Sequence, residues 1–243
     1  MKQHLSVFGL AVRGTLYKTA ALCLAAALAQ IGFCLYFLRS GSPDAPLSLE
    51  QLIGAPSFAR IAGVAFLALC ALLCFSGCDR GGTHSIYTLR RLRVSERAAV
   101  LWAAVSNAGM LALLWASQLA AVLIIELIRR QFLSAAPDPQ TLLIAFYRCR
   151  YLHALLPLRE ISLLVRNLLL LLALALCCAA FSYHQRRGHF RLEPLVLALF
   201  VLFFFPQQLG SLESDVTLML VALAGIAVSG YSLLGGVSDE TAS

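Results

Sequence analysis

Residues 98–128 of the chain read AAVLWAAVSNAGMLALLWASQLAAVLIIELI, an apolar run whose single charged side chain is Glu126. As an α-helix at 1.5 Å per residue, this run would be about 46 Å long, which exceeds the roughly 30 Å hydrocarbon core of a bilayer. We therefore predict a membrane-spanning helix that tilts or projects beyond the lipid.

The composition extends this interpretation to the whole chain. Of the 243 residues, 60% are hydrophobic and 13% are charged, and the mean hydropathy is +0.82. So few polar side chains cannot cover a water-soluble surface. We predict an all-α membrane protein with about six spans that forms a single transmembrane domain over residues 1–243. The apolar runs place the spans near residues 20–38, 61–78, 98–128, 161–183, 192–209 and 216–234.

The first 14 residues have the pattern of a helix at the membrane surface. Lys2, Ser6, Gly9 and Arg13 would form one narrow polar stripe, with apolar side chains around the rest of the helix. This pattern favours an N-terminal interfacial helix over residues 1–14. The alternative is that the segment extends the first span.

The longest connection, residues 131–160, contains a second segment of this kind. Its apolar part, residues 141–158, carries Arg148, Arg150 and His153. Inserting two arginines fully into lipid would cost several kcal/mol. We therefore predict an external helical element between spans three and four, either interfacial or re-entrant.

The distribution of basic residues predicts the orientation. Eleven lie in the segments on the side of the N-terminus, namely Lys2, Arg13, Lys18, Arg80, Arg90, Arg91, Arg93, Arg97, Arg186, Arg187 and Arg191. Eight lie on the other side, namely Arg39, Arg60, Arg129, Arg130, Arg148, Arg150, Arg159 and Arg166. The positive-inside rule then places both termini in the cytoplasm. Because this charge lies between hydrophobic runs and not along one polar face, it indicates membrane topology and no nucleic-acid partner.

The sequence lacks the usual parts of a membrane enzyme. It has no Gly-x-Ser-x-Gly, no His-Glu-x-x-His and no pair of carboxylates within a span, so we predict no catalytic residue and no cofactor. Neither Lys2 nor Lys18 belongs to a P-loop, so any ATP must be hydrolysed by another chain.

The cysteines are predicted to pack as small buried residues, since most of them lie in apolar runs. Cys70, Cys74 and Cys78 share one helix face and would be able to hold a metal, but no His or second Cys pair lies near them in the sequence. Packing is the favoured interpretation, and we predict no metal site.

Two polar features remain as candidate sites. Asn107 and Gln118 lie eleven residues apart on roughly one face of span three, where such groups either hold helices together or line a substrate path.

The connection DRGGTHSIYTLRRLRVSER, residues 79–97, is basic and partly amphipathic, and Ser95 would cap the helix of span three. It is either an anchor on anionic lipid or a docking surface for a cytoplasmic partner. The residues of that surface are Tyr87, Arg90, Arg91, Arg93 and Arg97.

The stretch TLRRLRVSER, leading into a long third helix, resembles the basic coupling segment in the permease subunits of ABC-2 type ABC transporters. The N-terminal helix, the six runs and the cytoplasmic termini are similar to that family over nearly the whole chain. The resemblance implies a permease that forms the translocation path as a homo- or heterodimer in a bacterial plasma membrane. It also implies a separate ABC-type ATPase subunit that docks on residues 87–97. The alternative function is a non-transporting scaffold or regulatory subunit of a membrane complex.

Overall fold

The structure, a computed structural model, describes residues 2–40, 49–76, 95–132, 140–156, 160–189, 191–204 and 212–235. In these residues the helices are α1 (Lys2–Ser40), α2 (Leu49–Ile53), α3 (Pro56–Ser76), α4 (Glu96–Phe132), α5 (Gln140–Arg148), α6 (Arg150–Leu155), α7 (Ile161–Arg186), α8 (Glu193–Phe204) and α9 (Leu212–Gly235). The described residues contain no β-strand. Five of these helices, α1, α3, α4, α7 and α9, are long and apolar enough to cross a membrane. The prediction of an all-α membrane protein is confirmed.

The N-terminal segment is helical and continuous with the first span, while its position at the membrane surface stays a prediction. α1 continues without a break from Lys2 to Ser40, so the alternative, an extension of span one, describes its secondary structure. The physical reason is that nothing in the segment ends a helix. It contains no proline, and the isolated glycines Gly9 and Gly14 each cost only about 1 kcal/mol within a helix.

The third span is as long as its sequence predicts. α4 has 37 residues and is about 55 Å long, nearly twice the thickness of the hydrocarbon core. At its start, the Ser95 hydroxyl oxygen accepts a hydrogen bond from the Ala98 N–H at 3.4 Å, as expected for the predicted cap. One uninterrupted helix therefore connects the two ends of the bundle.

The directions of α7 and α9 show that the chain crosses the bundle between them. Arg166 contacts Asp215 near the start of both helices, and His184 contacts Ser232 near the end of both. The two helices are therefore parallel. After α7 the chain has to return to the opposite end before α9 begins, and α8 lies on this return, within the predicted fifth crossing.

The helix of this fifth crossing is shorter than predicted. α8 covers Glu193–Phe204, which is about 18 Å and less than the hydrocarbon thickness. It runs in the returning direction, since Leu197 lies against Gly225 and Leu202 lies against Gly63. Residues 205–209 of the predicted span lie outside the described part of the chain.

The buried apolar residues form two large clusters at different levels. We call the larger one the membrane core, which draws on α1, α3, α4, α7, α8 and α9 and includes Ala26, Leu69, Leu114, Ala173, Cys178, Leu218 and Ala222. We call the smaller one the cap core, which contains Cys34, Leu49, Ile53, Phe58, Val122, Ile125, Ala145, Phe146, Cys149 and Leu152. The cap itself consists of α2, α5 and α6 around the C-terminal ends of α1 and α4.

The predicted external element between spans three and four is helical and belongs to the cap. It consists of α5 and α6, which meet at Cys149, where the backbone is extended. Phe146, Cys149 and Leu152 are buried in the cap core, whereas Arg148 and Arg150 are exposed. The element thus buries apolar side chains and leaves both arginines out of the protein core.

Candidate functional site

The basic segment that the sequence analysis singled out lies mostly outside the described residues. Tyr87, Arg90, Arg91 and Arg93 fall within residues 77–94, and Arg97 lies in the first turn of α4. The structure does describe the helix that follows this segment directly. A displacement of the segment would therefore act on the first turn of α4.

Asn107 and Gln118 both lie on the buried face of α4, and each is 5% exposed. The side-chain amide of Asn107 donates to the Ala175 carbonyl oxygen of α7 at 3.3 Å. The Gln118 carbonyl oxygen accepts a hydrogen bond from the Gln30 amide of α1 at 2.6 Å. In this structure each residue joins α4 to a neighbouring helix.

Gln118 also joins α4 to the cap. The Tyr151 hydroxyl of α6 donates to the same Gln118 oxygen at 3.1 Å, and the Tyr151 ring packs edge-on against Phe58 of α3 with 5.5 Å between the centroids. Burial raises the pKa of the Tyr151 phenol, and the nearby Cys149 thiol adds a smaller effect in the same direction. The hydroxyl therefore stays protonated and remains a hydrogen-bond donor.

The pair of glutamines leaves hydrogen-bonding capacity unused. Gln30 is fully buried, and its carbonyl oxygen and the Gln118 amide nitrogen have no hydrogen-bond partner among the described residues. A buried polar atom without a partner costs about 1–3 kcal/mol. The contact between α1 and α4 therefore carries an energetic cost in this arrangement.

The C-terminal end of α6 is held by side chains from two spans. The Trp115 indole of α4 donates to the Leu155 carbonyl oxygen at 2.8 Å, and the Asn167 amide of α7 donates to the Ala154 carbonyl oxygen at 2.8 Å. The last carbonyl groups of a helix have no partner within it. Here side chains of α4 and α7 supply the missing donors and hold the end of α6 against the bundle.

A buried ion pair connects α7 to α9 at the same level. Arg166 Nη1 lies 2.5 Å from Asp215 Oδ1, and the two residues are only 3% and 7% exposed. Two further guanidinium nitrogens of Arg166, Nε and Nη2, donate to the Asn167 carbonyl oxygen at 3.2 and 3.1 Å. Asn167 thereby links the ion pair to the end of α6.

The sequence analysis missed this ion pair, although one signal for it was present. Arg166 lies inside the predicted fourth span, and a charge within a span requires a partner. It was counted only as a topology charge. Asp215 lies 49 positions further along the chain, and no periodicity pairs the two residues.

We call the residues that make these contacts the polar layer: Gln30, Trp115, Gln118, Tyr151, Arg166, Asn167 and Asp215. The layer separates the membrane core from the cap core. On α4, Gln118 lies one turn after Leu114 of the membrane core and one turn before Val122 of the cap core. On α1, Gln30 has the same relation to Ala26 and Cys34.

One carboxylate lies deeper in the cap. Glu126 of α4 is 2% exposed, and its oxygens are held by Arg129 at 2.7 Å and by Arg130 at 3.0 Å, one turn further along the same helix. The sequence analysis noted Glu126 as the single charged side chain of residues 98–128 without naming these partners. Its charge is therefore balanced within α4 itself.

The cysteines of the membrane core lie against one another. Cys70 and Cys74 of α3 pack against Cys178 of α7, and the Cys177 sulfur lies 3.3 Å from the Ser229 hydroxyl oxygen of α9. Within the described residues, no three or more His, Cys, Asp or Glu side chains are placed to hold a metal ion. Cys78, the third member of the predicted triplet, lies outside those residues.

Comparisons with known proteins add no relative to this picture. No protein-family model, no curated protein and no solved structure matches the chain. The function has to be inferred from the residues of the chain and from their contacts.

Proposed function

We propose that the chain is the membrane-spanning permease subunit of an ATP-driven transporter of the ABC-2 type. It would form the translocation path together with an identical or related permease chain. A separate ATPase subunit would dock on the basic segment, through Tyr87, Arg90, Arg91, Arg93 and Arg97. The chain itself would transmit a movement and carry out no bond chemistry.

The observation that carries this proposal is the position of α4. This helix starts directly after the basic segment and passes without a break to the polar layer. The 19 steps from Glu96 to Trp115 correspond to about 28 Å along the helix axis. A rigid helix of this kind moves as one body, so a push at its first turn reaches Trp115 and Gln118.

The contacts of the polar layer explain how such a movement would be used. Gln118 touches α1 and the cap, and Trp115 holds the end of α6. Switching between two states requires contacts that differ between them. The carbonyl oxygen of Gln30 and the amide nitrogen of Gln118 have no partner in this structure, and a shift of α4 would change their surroundings.

The orientation supports the same proposal. The basic segment lies at the end of the bundle that carries the larger number of basic residues, which the positive-inside rule assigns to the cytoplasm. A cytoplasmic ATPase would therefore meet the basic segment, and the cap would lie on the outer face of the plasma membrane.

The test is the recovery of an ATPase with the tagged chain from its native cells in mild detergent. We expect a P-loop ATPase at a fixed ratio to the wild-type chain, and its loss from the variant in which Arg90, Arg91, Arg93 and Arg97 are all changed to Gln. The matched control changes four exposed arginines at the cap end, Arg39, Arg60, Arg148 and Arg150, to Gln and should retain the ATPase.

Two outcomes would count against this proposal. Equal loss of the ATPase from both variants would mean that total charge, and not the basic segment, holds the complex. Recovery of other membrane proteins without any ATPase would favour the scaffold or regulatory subunit instead.

A further inference from the structure

Four cysteines of the membrane core lie together, two on α3 and two on α7, and the proposed function uses none of them. They are Cys70, Cys74, Cys177 and Cys178, and each is less than one-tenth exposed. A single buried cysteine packs as a small apolar residue. Two thiols in contact have a further chemistry, because oxidation joins them as a disulfide.

One pair of these thiols is in direct contact. A hydrogen bond joins the thiols of Cys74 and Cys178. The Cys178 sulfur also lies 4.0 Å from the Cys70 carbonyl oxygen, one turn earlier on α3. Cys178 therefore points at α3 and lies between two successive turns of that helix. A disulfide between two helices requires side chains that point at each other in this way.

A second contact beside this pair fixes the register of α3 against α7. The Phe75 ring packs edge-on against the Phe181 ring, with 6.0 Å between the centroids. Phe75 follows Cys74 directly, and Phe181 follows Cys178 by three residues. The two contacts come in the same order along both helices. A disulfide between Cys74 and Cys178 would therefore keep the register that the structure shows.

The other two thiols are less well placed to form a disulfide. The Cys177 sulfur lies 3.3 Å from the Ser229 hydroxyl oxygen and so faces α9. Cys70 and Cys74 lie one turn apart on α3, where Cβ atoms are about 5–6 Å apart. A disulfide needs about 3.5–4.5 Å between its Cβ atoms. Cys74 and Cys178 are therefore the favoured pair among the described cysteines.

The pair lies close to the outer surface of the bundle. Cys178 is fully buried, and Cys74 is 7% exposed. Ala71 and Phe75, three residues before and one residue after Cys74, are both exposed. Because α3 is long and apolar enough to cross a membrane, this surface would lie against lipid. An oxidant that dissolves in lipid would therefore reach Cys74 before Cys178.

We infer that Cys74 and Cys178 are a redox modification site, at which a lipid hydroperoxide converts the two thiols into a disulfide that links α3 to α7. The Cys74 sulfur attacks the terminal oxygen of the hydroperoxide, so an S–O bond forms and the O–O bond breaks. The lipid leaves as an alcohol that takes up the Cys74 proton, and Cys74 becomes a sulfenic acid. This inference does not depend on the proposed transport function.

The second thiol completes the reaction. The Cys178 sulfur attacks the sulfur of the Cys74 sulfenic acid, so the S–S bond forms and the S–O bond breaks. The hydroxyl group leaves with the Cys178 proton as water. The two thiols together lose two electrons, and the hydroperoxide accepts both.

The disulfide would fix the end of α3. Cys74 lies two residues before Ser76, where α3 ends, and the connection that contains the basic segment follows. Apolar packing between α3 and α7 is non-directional and allows small movements. The covalent link would hold the last turn of α3 to α7 until a thiol reductant breaks it.

The experiment uses the full reduced chain in phosphatidylcholine vesicles, treated with cumene hydroperoxide as an apolar hydroperoxide. The remaining thiols are blocked with N-ethylmaleimide as the vesicles are dissolved in denaturing detergent, and the chain is digested with trypsin. Cleavage after Arg60, Arg80, Arg166 and Arg186 gives the peptides 61–80 and 167–186, one from each helix. We expect these two peptides to be joined, with the link mapped to Cys74 and Cys178 by fragmentation in the mass spectrometer. Dithiothreitol should separate them.

Matched variants and a second oxidant test the site and its route. Cys74→Ala and Cys178→Ala should each lower the amount of joined peptide about tenfold, because the neighbouring thiols are badly placed. Cys70→Ala and Cys177→Ala remove one thiol from the same helices and should keep the wild-type amount. Hydrogen peroxide at the same concentration should give about tenfold less joined peptide, because it stays in water and the pair is buried.

The mapping in the wild-type chain needs no variant, so it decides the inference even where a variant fails to fold. A link that joins the peptides through Cys70, Cys78 or Cys177 would overturn the assignment of the pair. Separate peptides after treatment with cumene hydroperoxide would overturn it as well. An equal yield with hydrogen peroxide would overturn the assignment of a lipid-borne oxidant.

Discussion

The membrane core and the polar layer are built from opposite kinds of side chain, although the same helices pass through both. In the membrane core, α1, α4, α7 and α9 meet mainly through aliphatic side chains and thiols, with few directional contacts such as the one between Cys177 and Ser229. In the polar layer, about one turn away, α1 meets α4 through a hydrogen bond and α7 meets α9 through an ion pair of defined geometry. The membrane core therefore holds the bundle together, and the polar layer sets the positions of the helices relative to one another.

Packing of aliphatic groups is non-directional, so a small shift of one helix against another within the membrane core changes the free energy little. A buried hydrogen bond or ion pair is either made or broken, and breaking it leaves a group without a partner. The polar layer is therefore where two discrete states of the protein are able to differ. This is the reason for placing the switch of the proposed transporter in that layer.

The largest effect should follow from Asp215→Ala, which leaves the buried Arg166 guanidinium without its counterion. We expect the free energy of unfolding to fall by about 3–5 kcal/mol. Denaturation in detergent, followed through the reaction of the buried thiols, measures it. The control is Glu193→Ala, which breaks the partly exposed pair with Arg191 and should cost about 0–1 kcal/mol. Equal losses would show that the Arg166–Asp215 pair is not buried as described.

The next largest effect concerns the glutamine contact. Gln118→Leu removes the acceptor of both Gln30 and Tyr151 and should lower the free energy of unfolding by about 2 kcal/mol. When Gln30→Leu is added, the loss should become smaller than the sum of the two single losses, because no buried amide then lacks a partner. Strictly additive losses would contradict the contact between the two glutamines.

A smaller effect is expected where α4 holds the cap. Trp115→Phe keeps the aromatic ring but removes the donor to the Leu155 carbonyl oxygen, at a cost of about 1 kcal/mol. Hydrogen exchange of the α6 amides should become about five times faster, while exchange in α9 stays unchanged. Trp102→Phe, at the opposite end of α4, should leave α6 unaffected. An unchanged rate in α6 would mean that Trp115 does not hold it.

The smallest effect is expected in the membrane core. Cys70→Ala removes one small buried side chain and should cost about 1 kcal/mol or less. The same thiol-dye assay measures it, because the other buried cysteines still report unfolding. A loss above about 3 kcal/mol, or a new dependence on added metal, would revive the metal interpretation of the cysteine triplet.

The sequence was informative about features that depend on local periodicity and composition. The apolar runs predicted the spans, the length of α4 followed from residues 98–128, and Ser95 was identified as a cap. The helical element between spans three and four was also predicted, because its arginines could not enter lipid. Each of these features is determined by residues that are close together in the chain.

The polar layer depends on partners that are far apart, which is why it could be predicted only in part. Asn107 and Gln118 were identified as buried polar residues of α4, but their partners were not. Gln30 lies 88 residues from Gln118, and a single sequence carries no signal that pairs them. The polar stripe of residues 1–14 did not reveal that its helix continues into the first span, because such a stripe indicates how a helix faces its surroundings and not where it ends.

The most direct test of the account is ATP hydrolysis by the complex recovered with the Tyr151→Phe/Trp115→Phe chain, compared with the wild-type complex. Both substitutions lie in the polar layer, far from the basic segment, so the ATPase should copurify at the wild-type ratio. If α4 couples the two ends, the rate of ATP hydrolysis in this complex should differ from wild type by several-fold. An unchanged rate, with the ATPase still bound, would contradict the coupling of the basic segment to the polar layer.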